Sequence, residues 1–354
     1  MSSDTMLVDT LARLLEAKSR PADVQAAEQE DGWHATLWRE LDALGLADID
    51  NFDPEHGLVD QLAVLQLLGR HAASVPFVES VMIGQWLCRQ AGLDAMPGIV
   101  IVVPLDPSGG VSAAKAGDAW QLAGTAAKVP FARAGNRLLI LASGPDGPVV
   151  ASVDPSDCSL ARSANMAGEP RDTVRLDGLR LPASSVCPLP DGVTVAALWE
   201  RGALGRAAMM AGALQRALEL SLQYAKDRKQ FGRPIGAFQA VQQNLAILAA
   251  EVTATRAMVD LAGRVQGGRH QRAAVASAKA RAGRAAGIAA RIAHQIHGAM
   301  GFTGEYPLQL FTRRLWSWRD EFGSDRDWAR VLGALAAAEG PGGLWPMITA
   351  AGDR

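Results

Sequence analysis

Residues 224–246 read YAKDRKQFGRPIGAFQAVQQNLA, and this stretch decides how the rest of the chain is read. It begins inside one helical pattern and ends inside another. The first helix is expected to run to about Gln230, because Gly232 accepts a positive φ and Pro234 blocks continuation. A new helix is expected from near Phe238. The turn gathers Arg228, Lys229 and Arg233 beside Phe231 and Phe238, with Gln239 and Gln242 opening the next helix. Fixed cations, aromatic faces and amide side chains at a helix start suit a phosphate-linked planar ligand. The same residues also suit a plain basic turn over two buried aromatics.

Outward from this turn the chain divides into three zones. Residues 189–354 are helical, with long Ala/Leu/Arg runs such as VAALWERGALGRAAMMAGALQRALELSLQYAKDR and AAVASAKARAGRAAGIAARIAHQIHGAM. Helices of that length with an apolar stripe pack as a bundle, here expected to have four helices. Residues 96–188 change period. Runs such as PGIVIVVPL, NRLLILAS and GPVVASV are short, rich in Val, Ile and Leu, and separated by Gly, Pro and Asn. That pattern predicts an antiparallel β-domain. Residues 1–95 are helical again, with leucines three and four apart in LVDTLARLLEA and GLVDQLAVLQLLGRHAAS. The fold class is therefore α+β, a β-domain between two helical domains, and a cleft between the β-domain and the bundle is a natural place for a ligand.

Composition narrows the classes further. The 354 residues are 49% hydrophobic and 20% charged, enough to bury a sizeable core. The net charge of −2 hides a gradient. The first zone holds six basic against sixteen acidic residues, and residues 190–354 hold 21 against 13. The basic C-terminal part lacks the aromatic interleaving of a nucleic-acid binder, so no nucleic-acid partner is expected. No run of about twenty apolar residues predicts a membrane span. The N-terminus reads as an amphipathic helix without the basic and apolar regions of a signal peptide. Cys88, Cys158 and Cys187 are scattered, which fits a reducing cytoplasm. His294 and His297 stand three apart on a helix, but no acid or cysteine completes a metal site nearby.

A second segment, QIHGAMGFTGEYPLQLFTRR at 295–314, follows in order. Together the two segments resemble the acyl-CoA dehydrogenase family, whose members carry Arg-x-Gln-Phe-Gly and Gln-x-x-Gly-Gly-x-Gly-x-x-x-Glu-Tyr-Pro at this spacing. The resemblance implies an FAD enzyme that oxidises acyl-CoA thioesters. A carboxylate takes the α-proton and the β-hydrogen leaves as hydride to the flavin. It also implies roles for residues. Arg228 would meet the FAD pyrophosphate, with Gln230 and Phe231 beside it, Phe238 and Gln239 along the same cofactor, and Gln295, Ile296 and Gly298 at its adenosine end. In the family these groups reach into a neighbouring subunit's FAD. The second glycine of the motif is Ala299 here. An electron-transfer flavoprotein is the acceptor the resemblance implies.

The catalytic carboxylate is where the pattern departs. Counted from Tyr306-Pro307, the family's base falls on Phe322, and Glu321 stands one residue early. One residue re-aims a side chain by about 100° on a helix. The family's alternative base position, counted back from Tyr224, falls on Gly202, two residues from Glu200. The stretch Val103–Ser112 also lacks the family's acid-to-serine order at the flavin loop, and Val129-Pro130 replace a tryptophan on the next strand pair. The residues that serve a neighbour's cofactor are kept, and those that serve the chain's own site are blurred. This combination resembles the shortened subunit of heteromeric bacterial acyl-CoA dehydrogenases of steroid catabolism. The expectation is a chain that works beside a second dehydrogenase subunit of an α2β2 enzyme. Glu200 or Glu321 would be catalytic only in a self-sufficient homomeric enzyme, and a non-redox acyl-CoA-binding protein is the further alternative.

Overall fold

The computed structural model describes residues 3–53, 57–93, 96–103, 110–265, 267–340 and 342–349. Its helices are α1 (Ser3–Lys18), α2 (Pro21–Gln29), α3 (Ala35–Ala43), α4 (Gly57–Arg70), α5 (Trp86–Gln90), α6 (Val195–Asp227), α7 (Gln239–Arg264), α8 (Gly268–His297), α9 (Leu308–Asp320), α10 (Asp325–Glu339) and α11 (Leu344–Thr349). A buried π-helical stretch, Val78–Gln85, precedes α5. The strands are β1 (Val100–Val103), β2 (Val111–Ala116), β3 (Ala119–Pro130), β4 (Arg137–Gly144), β5 (Gly147–Val153), β6 (Ser159–Ala161), β7 (Arg171–Pro182), β8 (Val186–Pro188), and the short pair β9 (Lys229–Gln230) and β10 (Arg233–Pro234). By packing, the chain forms two units: Met1–Gln25 with Phe52–Ala73 and Ala203–Arg354, and Ala26–Asn51 with Ser74–Gly202.

The first unit is helical, and its composition explains its closeness. Leu11 and Leu15 on α1 and Leu65 and Leu68 on α4 are fully buried, the stripe that their spacing predicts. A Cβ on Gly69 would lie 1.9 Å from the carbonyl oxygen of Met209, and one on Gly212 would lie 1.8 Å from that of Gln66. The α4 and α6 backbones therefore touch where only glycine fits. Buried alanines on α8, among them Ala278, Ala282, Ala285 and Ala289, let that helix approach its neighbours in the same way.

The second unit is built on one sheet, ordered β6-β7-β3-β2-β4-β5-β8, with β1 paired to β4. Most pairings are antiparallel, but β1–β4 and β2–β4 are parallel. The near-continuous apolar run of β4, with Leu138, Leu139, Ile140 and Leu141 all fully buried, reflects cover on both of its faces. Where Val129-Pro130 replace the family's tryptophan, β3 shifts register against β7 between Ala126 and Val129. Lys128 there takes φ +57°, and Val129 is turned into the core. The flavin-loop stretch Val103–Ser112 falls mainly at 104–109, outside the described residues.

Candidate cofactor cleft and the closed corner

The stretch that opened the sequence reading folds into more than a turn. α6 ends at Asp227, and Lys229–Gln230 pairs with Arg233–Pro234 in a two-residue hairpin. Phe231 and Gly232 form its tip with φ +51° and +77°, a type I′ turn. Proline fits β10 because this short ladder leaves its missing N–H on an edge. Phe231 is 90% exposed, so the alternative of two buried aromatics does not hold. Its ring meets Phe238 edge-on at 6.1 Å, and the Arg233 guanidinium lies 4.3 Å over the Phe238 ring. No side chain caps the start of α7. The Phe238 and Val241 N–H groups bond nearby carbonyls, and the N–H groups of Gln239 and Ala240, with the partial positive charge of the helix start, are left to solvent or to a ligand.

The C-terminal end of α8 runs beside the hairpin, and between them lies a cleft of about 530 Å³. Of the eight cofactor candidates named from sequence, all but Gln239 line it; Gln239 is the exposed first residue of α7. Gly298 caps α8 with φ +59°, and a Cβ there would project into open space. Further lining residues to which the sequence assigns no cofactor role include Tyr224, Asn244, His297 and Met300. Asn244 lies four positions after Ala240 and three after Val241, which line the same cleft, so helical spacing carried a signal for it.

The two histidines hold this end of the bundle. His297 donates from Nδ1 to the Ala293 carbonyl at 2.8 Å, and its ring lies 4.5 Å from Tyr224 and 4.9 Å from Tyr306. Burial pushes its pKa down, against backbone carbonyls that favour the charged form. The His294 ring stacks on Phe302 at 4.1 Å and faces Trp316 at 6.0 Å, while Nε2 meets Thr312 Oγ1 at 2.9 Å. Burial, and then the neighbouring His297, lower its pKa. Both rings are neutral packing groups between aromatics. Trp318 is fully buried.

The segment where the base would stand is built in the opposite manner. α9 ends at Asp320, and Phe322 and Gly323 then take φ +52° and +91°. The Ser324 side chain caps α10 in a capping box with Asp327. Glu321 does not face open space. Its Oε2 accepts from Nε of Arg206 at 2.6 Å, and the Arg206 side chain is 1% exposed. The guanidinium also lies 5.8 Å from the Phe322 ring. Lys279, fully buried on α8, donates to the carbonyls of Arg319 at 2.6 Å and Gly323 at 2.7 Å. Trp328 Nε1 donates to the Phe322 carbonyl at 2.8 Å. These bonds hold a bulky residue in a left-handed conformation that it otherwise avoids. Arg206 and Lys279 were not singled out from the sequence, where lone cations in alanine-rich helices read as solvated. Of the other base candidates, Gly202 is buried and Glu200 is half-buried.

Residues 193–325 match the family model described as acyl-CoA dehydrogenase, C-terminal domain. The chain is 31% identical over 264 residues to acyl-CoA dehydrogenase FadE27 of Mycobacterium tuberculosis, covering 68% of each chain. It is similar to acyl-CoA dehydrogenase IpdE2 of the same organism, with 31% identity over 87% of this chain and 89% of that one. In fold it matches a chain of the ChsE4-ChsE5 complex from Mycobacterium tuberculosis, with TM-score 0.86 at 24% identity over 96% and 98% of the two chains. The protein belongs to the acyl-CoA dehydrogenase family, and it is an oxidoreductase acting on acyl-CoA.

Proposed function

We propose that this chain is one subunit of a heteromeric, α2β2-type acyl-CoA dehydrogenase, and that it supplies cofactor-holding residues while a second subunit carries the catalytic carboxylate. The observation that carries this reading is the fate of Glu321. Its carboxylate is engaged by a buried guanidinium, and Phe322 stands at the aligned base position. A base must be free to reach the α-proton. Withdrawing Glu321 would leave Arg206 charged and buried without its partner.

FAD fits the residues of the cleft. Its pyrophosphate is anionic, and the cleft offers Arg228 and the uncapped start of α7. Its rings are flat, and the cleft offers Phe231 and Phe238. Gly298 leaves the backbone approachable at the far end. FAD, when bound, accepts the hydride from the β-carbon. In this reading Arg228, Gln230 and Phe231 hold the pyrophosphate region, Phe238 and Gln239 flank the same cofactor, and Gln295, Ile296 and Gly298 cradle the adenosine. The acyl group belongs to lipid or steroid catabolism, and an electron-transfer flavoprotein takes the electrons. The ChsE4-ChsE5 complex, a two-protein assembly of this fold, supports a heteromeric reading.

The test is to express the chain alone and then with a candidate partner dehydrogenase. Flavin content, assembled mass and acyl-CoA oxidation are read together. The expected result is little flavin and no turnover alone, with FAD bound on co-assembly. Normal turnover by the chain alone, lost in Glu200→Gln or Glu321→Gln, would overturn the reading in favour of a homomeric enzyme.

A further inference from the structure

A second cavity, of about 160 Å³, lies in the helical unit where α4 ends. Its walls are apolar: Val24, Leu310 and Phe311 are each at most 4% exposed. One side is basic, lined by Arg70 and Arg216. Both guanidiniums bind one carboxylate, Glu219. Arg70 donates from Nε to Oε1 and from Nη2 to Oε2, each at 3.1 Å, while Gln215 reaches Oε1 and Arg216 Nη1 reaches Oε2, also at 3.1 Å. Burial works against ionisation of Glu219, but these donors outweigh it and hold the carboxyl below its usual range. Four donors fill the four acceptor sites of a carboxylate, so Glu219 takes no more. Two guanidiniums with ten N–H groups between them then share one neutralising charge. The other ionised groups at the rim add little. Arg20 is paired with Asp23, and Glu16 is exposed, where water screens it.

His71 completes the arrangement. Its Nε2 is buried without a hydrogen-bond partner among the described residues. Burial, then Arg70 and Arg216, bring its pKa down to about 4, so the ring is neutral near neutral pH. The chain places His71 there through a helix stop that would ordinarily use glycine. The Ala73 N–H bonds the Leu68 carbonyl at 3.0 Å, and Ala72 takes φ +52°.

We propose that this cavity binds a small carboxylate with a short apolar tail, its anionic end on the free donors of Arg70 and Arg216 and its tail against Val24, Leu310 and Phe311. The His71 ring, which lines the cavity, packs against the bound molecule. Excess cationic donors, an unmet imidazole nitrogen and an apolar wall fit that one chemical class. This site is separate from the cofactor cleft and does not depend on the cofactor reading.

Equilibrium dialysis of the full chain with radiolabelled butyrate, at constant ionic strength, tests the proposal. The expected result is one saturable millimolar site per chain, unaffected by exchanging chloride for another inert anion. Arg216→Gln is expected to weaken it about tenfold by removing a charge-assisted donor. If that variant does not fold, Arg216→Lys, which keeps the charge but not the planar fork, carries the comparison and is expected to weaken binding by a smaller factor. Absence of saturable binding overturns the proposal. So does displacement by chloride at equal concentration, or butyrate binding that is the same in the Arg216 variants.

Discussion

The hairpin cleft and the α9–α10 corner lie in the same helical unit, and both are rich in cations, yet they are built in opposite ways. At the hairpin, none of Arg228, Lys229 and Arg233 pairs with a carboxylate among the described residues, and Phe231 stands 90% exposed at a strained tip. At the corner, Arg206 and Lys279 are buried and each is bonded to the segment that connects the two helices. Both turns carry a phenylalanine in the left-handed region, so strain does not separate them, but exposed groups without partners mark a surface that awaits something else. Buried, satisfied groups mark a surface already closed. The difference teaches that a charge is read by what meets it. Glu321 looks like a displaced base in the sequence and is a bound counter-ion in the fold.

The strongest way to break this contrast is Glu321→Ala. It is expected to destabilise the chain by about 3–5 kcal/mol, because the buried Arg206 guanidinium loses the carboxylate bonded to it at 2.6 Å. A urea midpoint measures this. The double change Arg206→Met with Glu321→Leu is expected to recover most of the loss. If Glu321→Ala instead leaves stability intact and removes turnover, the corner is an active site and the contrast fails.

Lys279→Met is expected to cost about 2 kcal/mol by leaving the Arg319 and Gly323 carbonyls without their donor. It also carries a pH signature. Burial brings the Lys279 pKa down to about 8, with nearby Glu321, Asp320 and Asp325 pulling the other way. Above that pH the folded chain sheds a proton that the unfolded chain holds up to about 10.4. The unfolded state then binds more protons, so this group makes stability rise with pH between those values. A neutral amine still has two N–H groups for its two carbonyls. Urea midpoints at stepped alkaline pH should show the wild-type rise and its loss in Lys279→Met.

At the cleft the order of effects reverses. Arg228→Gln is expected to lower the FAD content of the assembled enzyme about tenfold, through loss of a charge-assisted bond. Its urea midpoint should move by no more than about 0.5 kcal/mol, because the side chain is exposed. Equal flavin content in the variant would remove Arg228 from the cofactor site.

The smallest expected effect is also the most discriminating. Asn-Gly is the favoured pair for a type I′ turn, and this chain places Phe-Gly there. Phe231→Asn should therefore stabilise the chain by about 0.5 kcal/mol while lowering flavin retention. A loss of stability would mean that the exposed ring packs within its own chain.

Much of the fold was legible because it is local. The leucine spacing of α1 and α4, the period change near residue 96 and the motif from Tyr224 to Ala246 each depend on residues close together in sequence. Most of the residues that line the cleft could be named for the same reason, since they come from two short segments. The β9–β10 hairpin was not, because strands of two residues carry no period. The parallel pairings of β1 and β2 with β4 were not, because strand runs do not encode their order. Arg206 in GALGRAAMMAGAL did leave a signal, a lone charge with small apolar residues on every side of the helix. Lys279 left a weaker one, with Val275, Ala276, Ala282 and Gly283 on its own helix face but Arg281 two residues on.

By itself, then, the sequence determined the helix and strand zones and the family resemblance, because periodicity and turn chemistry act over a few residues. Only the tertiary structure decided what became of Glu321. Its partner Arg206 lies 115 residues earlier, and Lys279 reaches carbonyls 40 and 44 residues away. Whether a carboxylate is a base or a counter-ion depends on which charge is folded against it, and that is a matter of packing.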